Sequence, residues 1–192
     1  MRITGGEFRG RVLKTPHGDR VRPTQDRVRE ALFSMLQNEV PGSRFLDLFA
    51  GTGSVGLEAL SRGAAEVVSI EGNRGVHKLT LENVRKIAGE NGSIRAICSD
   101  VSHWIQGPGR GRAFDIVFAD PPYADANGDG LASLAELLAS KGTIANGGLL
   151  ITEMAIGAPV REIEGWVLLR DRTYGKTRLI VRQRKPSESP SE

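Results

Sequence analysis

Apolar positions along the chain fall into two kinds of run. Phe45–Leu48, Val67–Ile70, Ile94–Cys98, Phe114–Asp120 and Leu149–Thr152 are short and nearly continuous blocks, as suits strands buried on both faces. Between them, Val55–Arg62 (stopped by Gly63), Arg74–Ala88 and Leu131–Ser140 read as helices, a short polar turn carrying Asp100 follows Cys98, and Asn146-Gly147-Gly148 reads as a turn before the last block. Ahead of the first block, Arg22 to Leu36 predicts a helix with Thr24 as N-cap, Asp26 in the first turn and an apolar stripe of Val28, Ala31, Leu32, Met35 and Leu36. Strand alternating with helix predicts an α/β fold: a doubly wound, mostly parallel, Rossmann-like sheet with ligands at the carboxyl ends of its strands. Trp166–Leu169 and Arg178–Val181, on either side of Tyr174-Gly175, add a closing antiparallel pair. Ile3 and Val12-Leu13, flanking Gly5 to Gly10, predict a small and poorly buried N-terminal β-hairpin. The expected organisation is therefore a basic extension over residues 1–22, one catalytic-type domain over 23–185, and a disordered tail over 186–192.

Composition changes this picture little. At 192 residues, 39% hydrophobic and 26% charged, the chain can bury a core without staples, and its single cysteine, Cys98, excludes an internal disulfide and a cysteine-rich zinc site. His17, His77 and His103 are too scattered to form a metal centre. No apolar run has the length of a signal peptide core or a membrane span, so a cytoplasmic protein is expected, and no coiled-coil seam points beyond a monomer. Charge is more informative. Residues 1–30 hold eight Lys/Arg against four acids and residues 170–185 hold seven against Asp171 alone, while the middle of the chain is acidic. Basic ends around an acidic centre fit an enzyme whose flanks meet nucleic acid phosphates.

The chemistry gathers at Phe45 to Gly56, where an apolar strand carrying Asp47 runs into Gly51-Thr52-Gly53-Ser54-Val55-Gly56. The glycines allow a tight turn into a helix whose free amides favour a carboxylate or a phosphate. This spacing satisfies the dinucleotide fingerprint and a methyl-donor one equally. Asp47 separates them: an acid before the turn repels a pyrophosphate but suits the ammonium and sulfonium of S-adenosylmethionine, unless it is a structural acid tied to backbone amides. Glu71, about 20 residues beyond the glycines, is placed to hold ribose hydroxyls, and Asp100 after the third strand to reach an adenine amino group. Asp120-Pro121-Pro122-Tyr123 then closes the fourth strand. An exocyclic amine is a poor nucleophile because its lone pair is delocalised into the ring. The Asp120 carboxylate and Pro121 carbonyl can each accept one of its N–H bonds as the nitrogen becomes tetrahedral, and Tyr123 can stack on the base.

These residues resemble the motifs of class I S-adenosylmethionine-dependent methyltransferases acting on exocyclic amines. Arg2-Ile-Thr-Gly-Gly-Glu-Phe-Arg-Gly-Arg11, Arg22-Pro-Thr-Gln-Asp-Arg-Val-Arg-Glu-Ala-Leu-Phe33 and Arg172-Thr-Tyr-Gly-Lys-Thr177 further resemble the RsmD family of bacterial 16S rRNA guanine-N2 methyltransferases, and the likeness extends to about Lys185. The resemblance implies methyl transfer to N2 of the guanine at nucleotide 966 of small-subunit rRNA. It also implies a donor site of Asp47, Phe49, Ala50, Gly51, Gly53, Glu71, Gly72, Asn73, Asp100 and Val101, and a reaction centre of Asp120 to Tyr123. Arg2, Arg9, Arg11, Arg22, Thr24, Arg27, Arg29 and Tyr174 would hold the RNA, with Arg9, Arg11, Arg29 and Tyr174 as candidates to read the guanine. The rivals are adenine-N6 methylation of DNA, methylation of a protein glutamine, a non-catalytic RNA-binding assembly factor that retains a donor pocket, and, most weakly, an NAD-dependent oxidoreductase.

Overall fold

The computed structural model describes residues 1–15, 23–90, 92–121 and 128–186, with side chains for all of these except 23–25 and 128–129. The apolar blocks form a single seven-stranded sheet. Its strands are β1 (Arg44–Leu48), β2 (Glu66–Glu71), β3 (Ile94–Cys98), β4 (Phe114–Ala119), β5 (Ile144–Ala155), β6 (Trp166–Tyr174) and β7 (Thr177–Arg184), in the spatial order β3-β2-β1-β4-β5-β7-β6. The first five run parallel, and β7 and β6 run antiparallel to close one edge. The order reverses between β1 and β4, so their connections depart to opposite sides and leave a crevice at their carboxyl ends.

Among the described residues, five helices cover the two faces. α1 (Pro23–Met35), α2 (Ser54–Ser61) and α3 (Arg74–Ala88) bury Val28, Leu32, Phe33, Leu57, Leu60, Val84 and Ile87 with Phe45, Phe118, Ile151 and Leu179 on one face. α4 (Val101–Gln106) and α5 (Gly128–Ser140) bury Trp104, Ile105, Leu134 and Leu138 with Leu46, Leu48, Val117 and Leu150 on the other. Successive residues of a strand therefore serve opposite layers, which is why the parallel strands read as continuous apolar runs. Among the described residues no helix is long and apolar enough to cross a membrane.

Four features depart from the sequence reading. The six-residue α4 stands where a polar turn is expected; Asp100 caps it, accepting the His103 amide at 2.8 Å. Asn146-Gly147-Gly148 is not a turn before β5 but an irregularity inside it, where the pairing with β4 slips between Phe114 and Ile116 and Gly147 takes a φ of 76°. The N-terminal segment is closed by one bridge, Arg2 to Val12, and is far from poorly buried: Ile3, Phe8 and Leu13 are 0%, 6% and 3% exposed within the core of the first face. Helix α1 begins at Pro23, which places Thr24 inside its first turn rather than at its cap.

Candidate active site

After β1 the chain reverses within a few residues. Phe49, Gly51 and Gly53 all take left-handed φ values, of 59°, 55° and 75°. Glycine does so freely, whereas an aromatic residue does so at a cost, and such departures concentrate at functional sites. Two of the glycines are also required by space. A Cβ on Gly53 would come within 2.8 Å of Thr80 Cγ2, and one on Gly56 within 2.5 Å of Ser69 Oγ. Two buried polar residues of α3 hold the turn. Thr80 Oγ1 donates to the Gly51 carbonyl at 2.6 Å, and Asn83 Nδ2 donates to the Thr52 carbonyl at 2.9 Å. The sequence reading missed both; their signal is a polar pair, three residues apart, on the same helix face as Val84 and Ile87.

Carboxylates converge on this turn from four strands. Glu71, at the end of β2, accepts the Gly51 amide at 2.9 Å and the Asn73 amide at 2.7 Å, spanning the glycine turn and the start of α3. Asn73 caps α3 by accepting from Gly75 and Val76, and with Gly72 it is exposed. Asp47 is 1% exposed and accepts the Gly56 amide at 2.9 Å. Of the two sequence readings of Asp47, contact with a ligand's cation or a tie to backbone amides, the second is the one present. Burial raises its carboxyl to about 7; the Gly56 bond opposes this, and negative charge on Asp120 and Glu71 adds to it. Asp120 keeps an open side to solvent, but removal of the rest of the carboxyl from water raises it to about 6. It follows directly on the register that sets Leu48 opposite Ala119, so it stands beside the glycine turn at the point of strand reversal.

The fifth carboxylate around the crevice, after Asp100, was not foreseen. Thr152 on β5 pairs with Ala119, so Glu153 stands beside Asp120 one step further on. Burial and the Asp120 charge raise Glu153 to about 7, against a bond from the Thr177 hydroxyl at 3.3 Å. No glycine, proline or motif marks it; only the strand register brings it to the site.

On the opposite face of the sheet, a cleft of about 290 Å³ opens between Phe49, Asp100, Val101, Pro121, Leu131 and Leu134. Its apolar walls and single carboxylate suit a flat heterocycle. Ala50, 9% exposed, donates to the Ile70 carbonyl at 3.0 Å and acts as part of the turn's frame. Pro122 and Tyr123 lie outside the described residues, as does Arg22, and the side chain of Thr24 is not described.

The expected RNA-binding residues divide. Arg2, Arg9 and Arg27 are exposed. Arg29 is not available: it is 4% exposed, and its guanidinium donates to Glu58 Oε2 at 3.2 Å, to Asp26 Oδ1 at 2.9 Å and to the Arg2 carbonyl. The expectation that it reads guanine is corrected on that ground. Arg11 is tethered as well, stacked on Phe8 at 4.8 Å and donating to the Ile87 carbonyl. Glu7 and Phe8 are tied to Ser61, the last residue of α2. The adjoining Arg9 thus rides roughly 12 Å, the rise of eight helical residues, from the glycine turn. That suits a flanking phosphate and not a base in the crevice. Tyr174, half-buried, lies at the β6–β7 turn on the crevice edge, with its hydroxyl 4.0 Å from the Met35 sulfur.

Comparison with known proteins bears on the whole chain. The family model described as conserved hypothetical protein 95 matches residues 1–183. "Ribosomal RNA small subunit methyltransferase D" of Escherichia coli K12 is 35% identical over 187 residues, covering 96% of this chain and 90% of that protein. Its namesake in Haemophilus influenzae is 33% identical, covering 91% and 89%. Among solved structures, the Escherichia coli protein yhhF superposes with a TM-score of 0.84 at 32% identity, covering 97% of this chain and 99% of that one.

Proposed function

This chain belongs to the conserved hypothetical protein 95 family, the RsmD family of rRNA methyltransferases, and from that premise we propose that it moves a methyl group from S-adenosylmethionine to N2 of a guanine in small-subunit rRNA, the guanine at nucleotide 966. The observation that carries the reading is the position of Asp120-Pro121. They follow β4 at the strand-order reversal, beside a glycine turn built for close approach, in a chain that aligns with small-subunit rRNA methyltransferases over nearly its full length.

The residues divide the work. The amides that open α2 would hold the donor's carboxylate, Glu71 its ribose, and the cleft of Phe49, Asp100, Val101 and Pro121 its adenine, and the donor would supply the methyl group at the crevice. A guanine turned out of its stack places its amine between the Asp120 carboxylate and the Pro121 carbonyl, which accept its two N–H bonds and direct the lone pair at the methyl carbon. As the C–N bond forms, the S–C bond breaks with its electron pair going to sulfur, and Asp120 is positioned to stabilise the ammonium and take its surplus proton. Tyr123 supplies the stacking surface. The reaction takes place in the cytoplasm, on one copy of the chain.

The test uses purified protein, labelled donor and small subunits from cells lacking this modification, with DNA and protein acceptors in parallel, and the product is digested and identified by mass spectrometry. N2-methylguanosine in the small-subunit rRNA is the expected product; N6-methyladenine or methylglutamine would replace the acceptor while keeping the chemistry. Asp120→Ala is expected to bind donor within a few-fold of the parent by titration calorimetry and to lose turnover by about a hundredfold or more. Unimpaired turnover by that variant would remove Asp120 from the reaction centre.

A further inference from the structure

Guanine carries two adjacent donors on its Watson–Crick edge, the N2 amine and the N1–H, and Asp120 with Pro121 supplies acceptors for the amine alone. A further acceptor stands one strand away. The parallel register between Ala119 and Thr152 brings Glu153 of β5 level with Asp120, and both continue the face that carries Phe118 and Ile151. Neighbouring strands lie about 4.8 Å apart, a spacing at which two acceptors can each take one of two adjacent donors over bonds of about 2.9 Å. We propose, on the methyl-transfer reading above, that Glu153 selects guanine: with the amine held at Asp120 and Pro121, the Glu153 carboxylate accepts the N1–H of the same base.

This carboxylate is both held and open. The Thr177 hydroxyl of β7 donates to its Oε1 at 3.3 Å, and among the described residues nothing is bonded to Oε2 of the half-buried side chain. The other acids around the crevice are already engaged. Asp47 is buried on the Gly56 amide, and Glu71 takes the amides of Gly51 and Asn73. Asp100 caps α4, in the helix layer of the opposite face. Nor is Glu153 neutralised by its basic neighbour on β7, since Arg178 is bound to Asp171 through Nε at 2.8 Å. Burial, with the Asp120 charge adding to it, raises the Glu153 carboxyl to about 7, which fits an acceptor partly withdrawn from water beside the reaction centre. Such an acceptor discriminates sharply. A purine whose N1 is itself an acceptor sets a lone pair against the carboxylate and leaves it without a donor.

The experiment separates the reading of N1 from the methylation of N2. Small-subunit rRNA is ligated around an oligonucleotide with guanine or 2,6-diaminopurine at the target nucleotide and assembled into subunits. Both bases present an N2 amine, and only guanine has an N1–H. kcat/KM is measured for each at about pH 8.5, where Glu153 is charged. The parent should favour guanine by about a hundredfold. In Glu153→Gln the amide can turn to donate to the analogue's N1, so transfer to diaminopurine should rise above the parent's and the ratio fall by about tenfold or more. Glu153→Ala, which serves should the first variant not fold, should lower the ratio by losing guanine. A loss shared equally by both acceptors, with the ratio unmoved, is what a merely structural residue gives and would overturn the proposal, as would a parent that accepts the two bases alike. Should the parent methylate no guanine in small-subunit rRNA, the functional reading fails and takes this inference with it.

Discussion

Asp47 holds an ionisable group where almost no water reaches it, in a fold that would be stabilised by a neutral residue of the same shape. Its carboxyl moves from 3.8 to about 7 on folding, chiefly through burial, so between those values the native chain binds a proton that the unfolded chain has released. The sign follows: native stability falls as pH rises through this window, and the cost is complete above it. A shift of this size corresponds to something on the order of a few kcal/mol. Asn at this position keeps an oxygen for the Gly56 amide and carries no charge. Thermal melts without donor should therefore show the Tm of Asp47→Asn rising relative to the parent between pH 5 and pH 8. If the two proteins keep a constant difference over that range, Asp47 is not paying an ionisation cost. On the proposed function the acid has a counterweight: the donor's sulfonium and ammonium would meet negative charge fixed in the strands rather than on mobile side chains.

Elements in this molecule are joined by polar residues that no local pattern announces. Glu58, fully buried in α2, accepts the Thr4 amide, the Thr4 hydroxyl and the Gly5 amide, each at 2.8 Å, as well as Arg62 Nε at 2.8 Å and Arg29 Nε at 3.2 Å. It thus fastens the N-terminal segment and α1 to the helix that opens at the glycine turn. Asn83 makes the same kind of joint at the segment's other end, bonding both the amide and the carbonyl of Lys14 while holding Thr52. Truncating Glu58 to Ala leaves the buried Arg29 with Asp26 as its one carboxylate partner and the Thr4 and Gly5 amides without their acceptor, and should cost about 3 kcal/mol in a denaturant melt. The accompanying loss of hydrogen-exchange protection should be largest at Ile3 and Gly10, whose amides close the segment on itself. The regular elements were legible because their signals are local. Arg74–Ala88 and Ile94–Cys98 coincide with the helix and strand in place, and Gly51, Gly53 and Gly56 announced the turn. Glu58, Asn83, Thr80 and Glu153 were not legible. Their meaning lies in partners brought close by topology, such as Thr4 at 54 positions from Glu58 or Asp120 one strand away from Glu153. Arg29 was misread for the same reason, since an arginine off the apolar stripe looks solvated until its acid arrives from another helix.

For the molecule as a whole, formal charge overstates what a polyanion can use. Of the seven bases between 170 and 185, Arg178 is bound to Asp171, Arg182 is 5% exposed and donates to the Arg161 carbonyl, and Arg184 donates to the Ile144 carbonyl. Arg170 is half-buried beside Glu39, and Arg172, Lys176 and Lys185 remain exposed, the first two on the β6–β7 hairpin whose turn lies at the carboxyl end of β5, where Ala155 pairs with Thr177. Arg172 and Lys176 rim the crevice on one side. Arg2 and Arg9, also exposed, belong to the segment that Lys14 and Asn83 pin to the glycine turn on the other. By contrast, Arg44, Arg95 and Arg112 neutralise Glu66 at the opposite end of the parallel strands and define a surface with little charge to spare. RNA held across the crevice edge should therefore release counterions from the rim alone. Replacing both Arg172 and Lys176 by Ala is expected to flatten the slope of log K against log salt by about 1.4, at roughly 0.7 per lost contact to single-stranded RNA, and to weaken binding with little regard to sequence. Arg95→Ala, at the far end, should leave the slope as it is. An unchanged slope in the double variant would move the RNA off the hairpin and onto the N-terminal segment, where Arg2→Ala with Arg9→Ala must then produce the loss instead.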